Sequence, residues 1–190
     1  MNRNLEAYIA KTSFLDKDFC NETIEQLENN NLDWQQHEFY SAKTGKSNPI
    51  SGNQELDCLY TDKVDNTSII IKNVFNEIYN YIENLNFSWY NGWHGYTAIR
   101  YNRYAENKKM ALHCDHIWSM FDGERKGIPT LSILGALNDN YEGGEFIMFD
   151  DYKIELKQGE LLIFPSNFLY PHRVEPVTSG VRYTYVSWVW

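Results

Sequence analysis

Two stretches early in the chain carry the period of an amphipathic helix. In SFLDKDFCNETIEQLENNN, Leu15, Phe19, Ile24 and Leu27 fall near helical spacing, and Asp16 stands where a capping carboxylate belongs. In DNTSIIIKNVFNEIYNYIENLNF, Ile71, Val74, Phe75, Ile78 and Ile82 recur at threes and fours, which predicts a helix with one apolar face laid on a sheet. Between them, Tyr40 to Leu56 is polar and aperiodic, with Gly, Ser, Asn and Pro throughout. That composition predicts a loop, and a loop of this length suits a lid over a site.

After Gly92 the pattern changes. Short segments rich in Val, Ile, Thr, Tyr, Phe and Trp (YTAIRYNRY, TLSILGAL, EFIMF, KIEL, ELLIFP, HRVEPV, VRYTYVSWVW) are separated by turn residues such as Asn138-Asp139-Asn140 and Gly143-Gly144. Short strands at such spacing predict a β-sandwich or barrel. The expected architecture is therefore mainly β with N-terminal helices. It is one domain over residues 1–190, with a helical part to about residue 90 and a β-core from about 92.

Composition narrows the function. A 43% hydrophobic, 23% charged chain is an ordinary globular one, and a net charge of -9 argues against a protein built to grip nucleic-acid phosphates. The aromatic run WYNGWHGYTAIRYNRY, with Arg100 and Arg103 interleaved, is accordingly read as core and sheet-edge packing rather than a stacking platform. Cys20, Cys58 and Cys114 are odd in number and lack a CxxC spacing, so a reducing compartment is expected. With no signal-peptide core and no apolar run long enough to span a bilayer, the expected setting is cytoplasmic, without a membrane partner. A monomer is the default.

The chemistry concentrates in ALHCDHIW. In an extended segment side chains alternate, so His113 and Asp115 face one way while Cys114 and His116 face the other. The first pair is a hard site and the second a softer one. His172, in LYPHRVEPV, is the obvious third partner for the first pair, and two histidines with one carboxylate leave positions open on an ion such as Fe(II). In the last segment Arg182, Thr184, Val186 and Trp188 share one face, with Tyr183, Tyr185 and Ser187 on the other. If the first set turns inward, the buried guanidinium of Arg182 needs an anion, and a small carboxylate would satisfy it. Alternation alone does not choose, because both faces carry large apolar residues.

Taken in order, these residues resemble the prolyl-4-hydroxylase-like 2-oxoglutarate/Fe(II)-dependent dioxygenases. The resemblance runs from about Gly95 to Trp190. It consists of Tyr104 nine positions before His113, the HxD of His113 and Asp115, ALNDNYEGGEF, KQGELLIFPS, the PH of His172, and Arg182 ten positions later with Thr184 beyond it. It implies a double-stranded β-helix, the jelly-roll form of the sandwich. His113, Asp115 and His172 would ligate Fe(II), and Arg182 would pair with the distal carboxylate of 2-oxoglutarate, assisted by Tyr104 and Thr184. Trp188 would line the pocket. O2 would be the second cosubstrate and ascorbate a reductant. The implied reaction is hydroxylation of an unactivated C–H, on a peptidyl or protein side chain such as proline, with release of succinate and CO2.

Departures from the family pattern bear on the substrate. A second tyrosine often stands three residues before the first ligand, and here that position is Met110. Another tyrosine, just before the LN of the next strand, is replaced by Ala136 after Gly135. A free amino acid or other small molecule is therefore an alternative substrate, and a non-catalytic jelly-roll binding module an alternative function. In the segment after the HxD, Trp118, Phe121 and Arg125 are candidate substrate contacts and His116 a candidate neighbour of the metal. His94 is expected to make a structural hydrogen bond, His37 to lie on the surface, and Cys114 to be a small buried hydrophobe.

Overall fold

The computed structural model describes residues 4–29, 31–41, 43–90, 92–115 and 128–190. Two helices form where the periodicity placed them, α1 at Lys17–Asn29 and α2 at Thr67–Leu85. Asp16 caps α1 by accepting the Phe19 amide at 2.8 Å. The face that α2 buries is Ile70, Val74, Ile78 and Tyr81, one position round from the expected one, and Phe75 lies 45% exposed against Trp93. The run Ile69-Ile70-Ile71 offers overlapping apolar arcs, and the arc containing Ile70 also brings the Tyr81 hydroxyl to the Tyr8 carbonyl at 2.8 Å.

The strands in chain order are β1 (Ala10–Ser13), β2 (Gln35–Gln36), β3 (Phe39–Ser41), β4 (Lys46–Asn48), β5 (Asp57–Tyr60), β6 (Arg100–Tyr104), β7 (Met110–His113) and β8 (Leu131–Ala136). They continue with β9 (Glu142–Gly143), β10 (Phe146–Met148), β11 (Tyr152–Ile154), β12 (Glu160–Pro165), β13 (His172–Val174), β14 (Val177–Ser179) and β15 (Arg182–Val189). Seven pair as β1-β12-β8-β15-β6-β5-β2 and four as β11-β10-β13-β7, every pairing antiparallel. This is a double-stranded β-helix. Segment 40–56, expected as a loop, instead contains the hairpin β3–β4 and a short 3-10 turn at Gly52–Gln54. Cross-strand bonds hold that polar stretch without an apolar period to announce it. The N-terminal part also adds β1, β2 and β5 to the large sheet.

Alternation along the large sheet sorts two cores. Leu131, Ile133, Leu161, Ile163, Tyr183 and Tyr185 point outward beneath α1 and α2, with Ile70, Val74 and Ile78. Leu134, Leu162, Phe164 and Val186 point inward and meet Phe146, Met148 and Val174 of the small sheet. Because helices cover the outer face, the central strands are apolar on both sides, which is why alternation in β15 could not choose a face. The inward set is Arg182, Thr184, Val186 and Trp188.

At Gly135 the Tyr185 ring crosses the neighbouring backbone so closely that an added Cβ would lie 2.0 Å from Cζ. Gly135→Ala should therefore cost about 1–3 kcal/mol or more of stability, read as a lowered urea midpoint, and Gly135→Ala with Tyr185→Leu should recover part of it. An unchanged midpoint in the single variant would contradict this packing.

Candidate metal centre and cavity

His113 ends β7 and lies directly across from His172, which begins β13, their ring centroids 4.3 Å apart. The Nδ1 of His113 faces the Ala111 carbonyl at 2.8 Å and that of His172 faces the Tyr170 carbonyl at 3.1 Å. A carbonyl only accepts, so each Nδ1 bears the proton and each Nε2 presents a lone pair. Asp115, just beyond β7, brings Oδ1 to 3.3 Å from Nε2 of His113 and 3.6 Å from Nε2 of His172. One donor atom from each residue lies within 4.8 Å of the other two. The second oxygen of Asp115 accepts from the Ser132 hydroxyl, which in turn meets the Ser166 hydroxyl. The two histidines thus come from the small sheet, and the carboxylate is moored to the large one.

Burial pushes His172 down to about 4, reinforced by neighbouring His113 and opposed by Asp115. Burial alone would raise Asp115, but His172, His113 and Ser132 outweigh it and hold the carboxyl well below the usual range. The His113 Nε2 is buried without a hydrogen-bond partner among the described residues. Two imidazoles turned with Nε2 toward an ionised carboxylate, one of those nitrogens without a hydrogen-bond partner among the described residues, fit a divalent ion with several positions left open. Cys114 is not part of that cluster. It is half-buried and lines the outer cleft rather than the core, its thiol raised by burial, and His116 lies outside the described residues.

Along the inner wall, cross-strand register places Arg182 opposite Tyr104, Thr184 opposite Asn102, and Val186 opposite Arg100. Arg182 is 2% exposed, its guanidinium 4.8 Å from the Tyr104 ring centroid, and its Nε donates to the Tyr141 hydroxyl at 3.2 Å. Its Nη1 is buried and unpartnered among the described residues. That orphan is what a small carboxylate entering the cavity would complete. Gly144, with φ +64, leaves room for it, since a Cβ there would come within 3.2 Å of the Arg182 Cδ. Thr184 is fully buried and Asn102 lies beside it at 3.5 Å. Trp188 lines the cleft with Arg100 over its ring at 4.8 Å.

The cleft outside the metal cluster holds about 200 Å³ and is walled by His37, Phe39, Tyr40 and Ser47 on one side and by Thr97, Arg100 and Trp188 on the other. His37, expected on the surface, is half-buried there, edge-on to Phe39, which in turn packs edge-on to His113. His94 is exposed and bonds through its backbone amide to the Trp190 carbonyl at 2.6 Å. Trp118, Phe121 and Arg125 lie outside the described residues. Met110 stands with its sulfur 3.8 Å from the Tyr104 hydroxyl, and Ala136 lies opposite Thr184. Arg100, Asn102, Ser132 and Tyr141 were not anticipated as cavity residues. Counting back by twos from Tyr104 would have found the first two.

Residues 99–190 match the 2OG-Fe(II) oxygenase superfamily. A PKHD-type hydroxylase of Stenotrophomonas maltophilia is 37% identical over 100 residues, covering 50% of this chain and 43% of that one. A PKHD-type hydroxylase of Aliarcobacter butzleri is 33% identical over 95 residues, covering 47% and 41%. The chain thus spans less than half the length of the curated relatives it matches. A prolyl hydroxylase from Trichoplax adhaerens, solved with a hypoxia inducible factor peptide, superposes with TM-score 0.69 at 19% identity, over 96% of this chain and 83% of that one. A Pseudomonas putida prolyl-4-hydroxylase does so with TM-score 0.65 at 17% identity, over 96% and 91%. At such identities the likeness is one of fold.

Removing the mooring of Asp115 tests the metal cluster. Ser132→Ala should weaken binding of a divalent ion roughly 10–100-fold, measured by competition with a chromogenic chelator, while leaving the far-ultraviolet circular dichroism unchanged. Undiminished affinity would contradict the assigned support.

Proposed function

We propose that this protein is an Fe(II)- and 2-oxoglutarate-dependent dioxygenase, a reading supported by the match of residues 99–190 to the 2OG-Fe(II) oxygenase superfamily. It hydroxylates an unactivated C–H, on a peptidyl or protein side chain such as proline. The observation that carries the reading is the orphaned Nη1 of buried Arg182, packed on the Tyr104 ring, which itself lines the space around a two-histidine, one-carboxylate cluster.

In this reading His113, Asp115 and His172 would hold the iron, with His172 kept neutral and Asp115 ionised, the states in which they ligate. Bound iron supplies the oxidation, in which 2-oxoglutarate and O2 become succinate and CO2 with one oxygen atom passing to the substrate C–H. Arg182 holds the distal carboxylate through paired N–H donors, and Tyr141 fixes the guanidinium by accepting from its Nε. Burial raises the Tyr104 phenol, so it stays a neutral donor beside Arg182, with the Thr184 hydroxyl alongside. Met110 and Trp188 line the approach with apolar surface and keep water from the reacting atoms.

The prolyl hydroxylases among its relatives in fold support a prolyl substrate, while Met110 and Ala136 leave the wall less like their pattern. The same reading treats residues 1–190 as one domain, working as a monomer in the cytoplasm.

Iron-loaded protein given 2-oxoglutarate, O2, ascorbate and a proline-rich peptide should release succinate and add one oxygen atom to the peptide. His113→Ala should bring succinate to the no-enzyme background. Wild-type protein with bound iron that releases no succinate, with or without peptide, would contradict the proposal.

A further inference from the structure

Four arginines lie among the described residues, and their partners divide them. Arg103, on the outer face of β6, meets Asp57 at 3.4 Å and Glu28 at 3.9 Å and stacks on Trp34. Arg173 meets Glu175 at 2.6 Å. Arg100 lines the cavity and Arg182 packs on Tyr104, which also lines it, and neither arginine has a carboxylate within 4.0 Å among the described residues. The reading above gives Arg182 the distal carboxylate of 2-oxoglutarate. Arg100 is left with a charge and no carboxylate within 4.0 Å among the described residues, although it is only 7% exposed.

Its geometry is held from two sides. The Nε donates to the Asn102 side-chain oxygen at 3.1 Å, and the guanidinium lies 4.8 Å from the Trp188 ring centroid. It lines both the outer cleft and the inner space that contains His113, Asp115 and His172. It stands four positions along β6 from Tyr104, the partner of Arg182, which is about 13 Å along the wall. An anion reaching Arg100 is therefore a different group from the one that completes Arg182. A largely buried guanidinium held in position without a carboxylate beside it among the described residues is a site for an anion.

We propose that Arg100 holds a carboxylate of the primary substrate beside the metal, at the opposite end of the wall from Arg182. The proposal rests on the dioxygenase reading of the same cavity. A carboxylate suits the site better than a phosphate, because no lysine lines either part of the cavity among the described residues. Fixing that group beside the metal selects which C–H faces it. The carboxylate belongs either to a free amino acid or to an acidic side chain next to the hydroxylated residue of a peptide.

Binding is measured by calorimetry on protein loaded with redox-inert Zn(II) and saturated with 2-oxoglutarate. The probes are L-proline against L-prolinamide, and acetyl-Pro-Asp-amide against acetyl-Pro-Asn-amide. One acid should bind about tenfold or more tightly than its amide; the first pair identifies a free amino acid and the second an acidic side chain. Arg100→Gln should abolish the difference and Arg100→Lys retain part of it, with both variants binding 2-oxoglutarate as wild type does. No preference for either acid, or a preference that survives Arg100→Gln, would overturn the proposal. Zn(II)-loaded wild type that fails to bind 2-oxoglutarate at all would overturn the dioxygenase reading first, and this one with it.

Discussion

A carboxylate buried between two sheets has to be paired, and the pairing of Asp115 ties the halves of this fold together. Its Oδ1 faces the imidazoles of the small sheet, and its other oxygen takes the Ser132 hydroxyl from the large sheet. Removing any one of these would leave a desolvated charge, which costs far more than the net worth of the hydrogen bond lost. The backbone carbonyls of Ala111 and Tyr170 complete the arrangement by fixing both imidazoles with Nε2 unprotonated. The position and ring orientation of all three side chains are therefore set by the fold before any ion arrives.

The same wall carries a second kind of constraint. β15 lies between β8 and β6 at the centre of the large sheet, so both of its faces are covered, one by helices and one by the small sheet. A charged residue on it has no route to bulk water. Arg182 meets this with an aromatic face, a hydroxyl and one nitrogen left over. In a chain of net charge -9, two buried guanidiniums on this wall, Arg100 lining the cavity and Arg182 behind Tyr104, have no carboxylate within 4.0 Å among the described residues, and they favour anionic small groups there over the rest of the surface.

Much of this was legible in the sequence because it follows simple periods. Strand spacing indicated a β-core, the i, i+2 relation joined His113 to Asp115, and the family resemblance placed His172, Arg182 and Trp188 along it. What escaped has identifiable causes. The hairpin of β3 and β4 is held by backbone pairing in a polar stretch, so hydrophobic periodicity could not reveal it. The choice of face in β15 depends on helices packed from the other end of the chain. Ser132 and Tyr141 reach the site through pairings distant in sequence. Arg100 was read as packing because it sits among aromatics, and it does stack on one; what separates it from Arg103 is its place in the cavity without a nearby carboxylate among the described residues.

The central claim is that one cavity binds iron and 2-oxoglutarate together, with Arg182 as the anchor of the second. Its most direct test is an anaerobic titration of metal-free protein with Fe(II) and then 2-oxoglutarate, followed in the visible for the weak charge-transfer band of a chelated keto acid. The account predicts a band in wild type that Arg182→Ala loses or shifts to much higher 2-oxoglutarate concentrations, with iron binding retained. Bound iron without a band in wild type, or a band indifferent to Arg182, would contradict it.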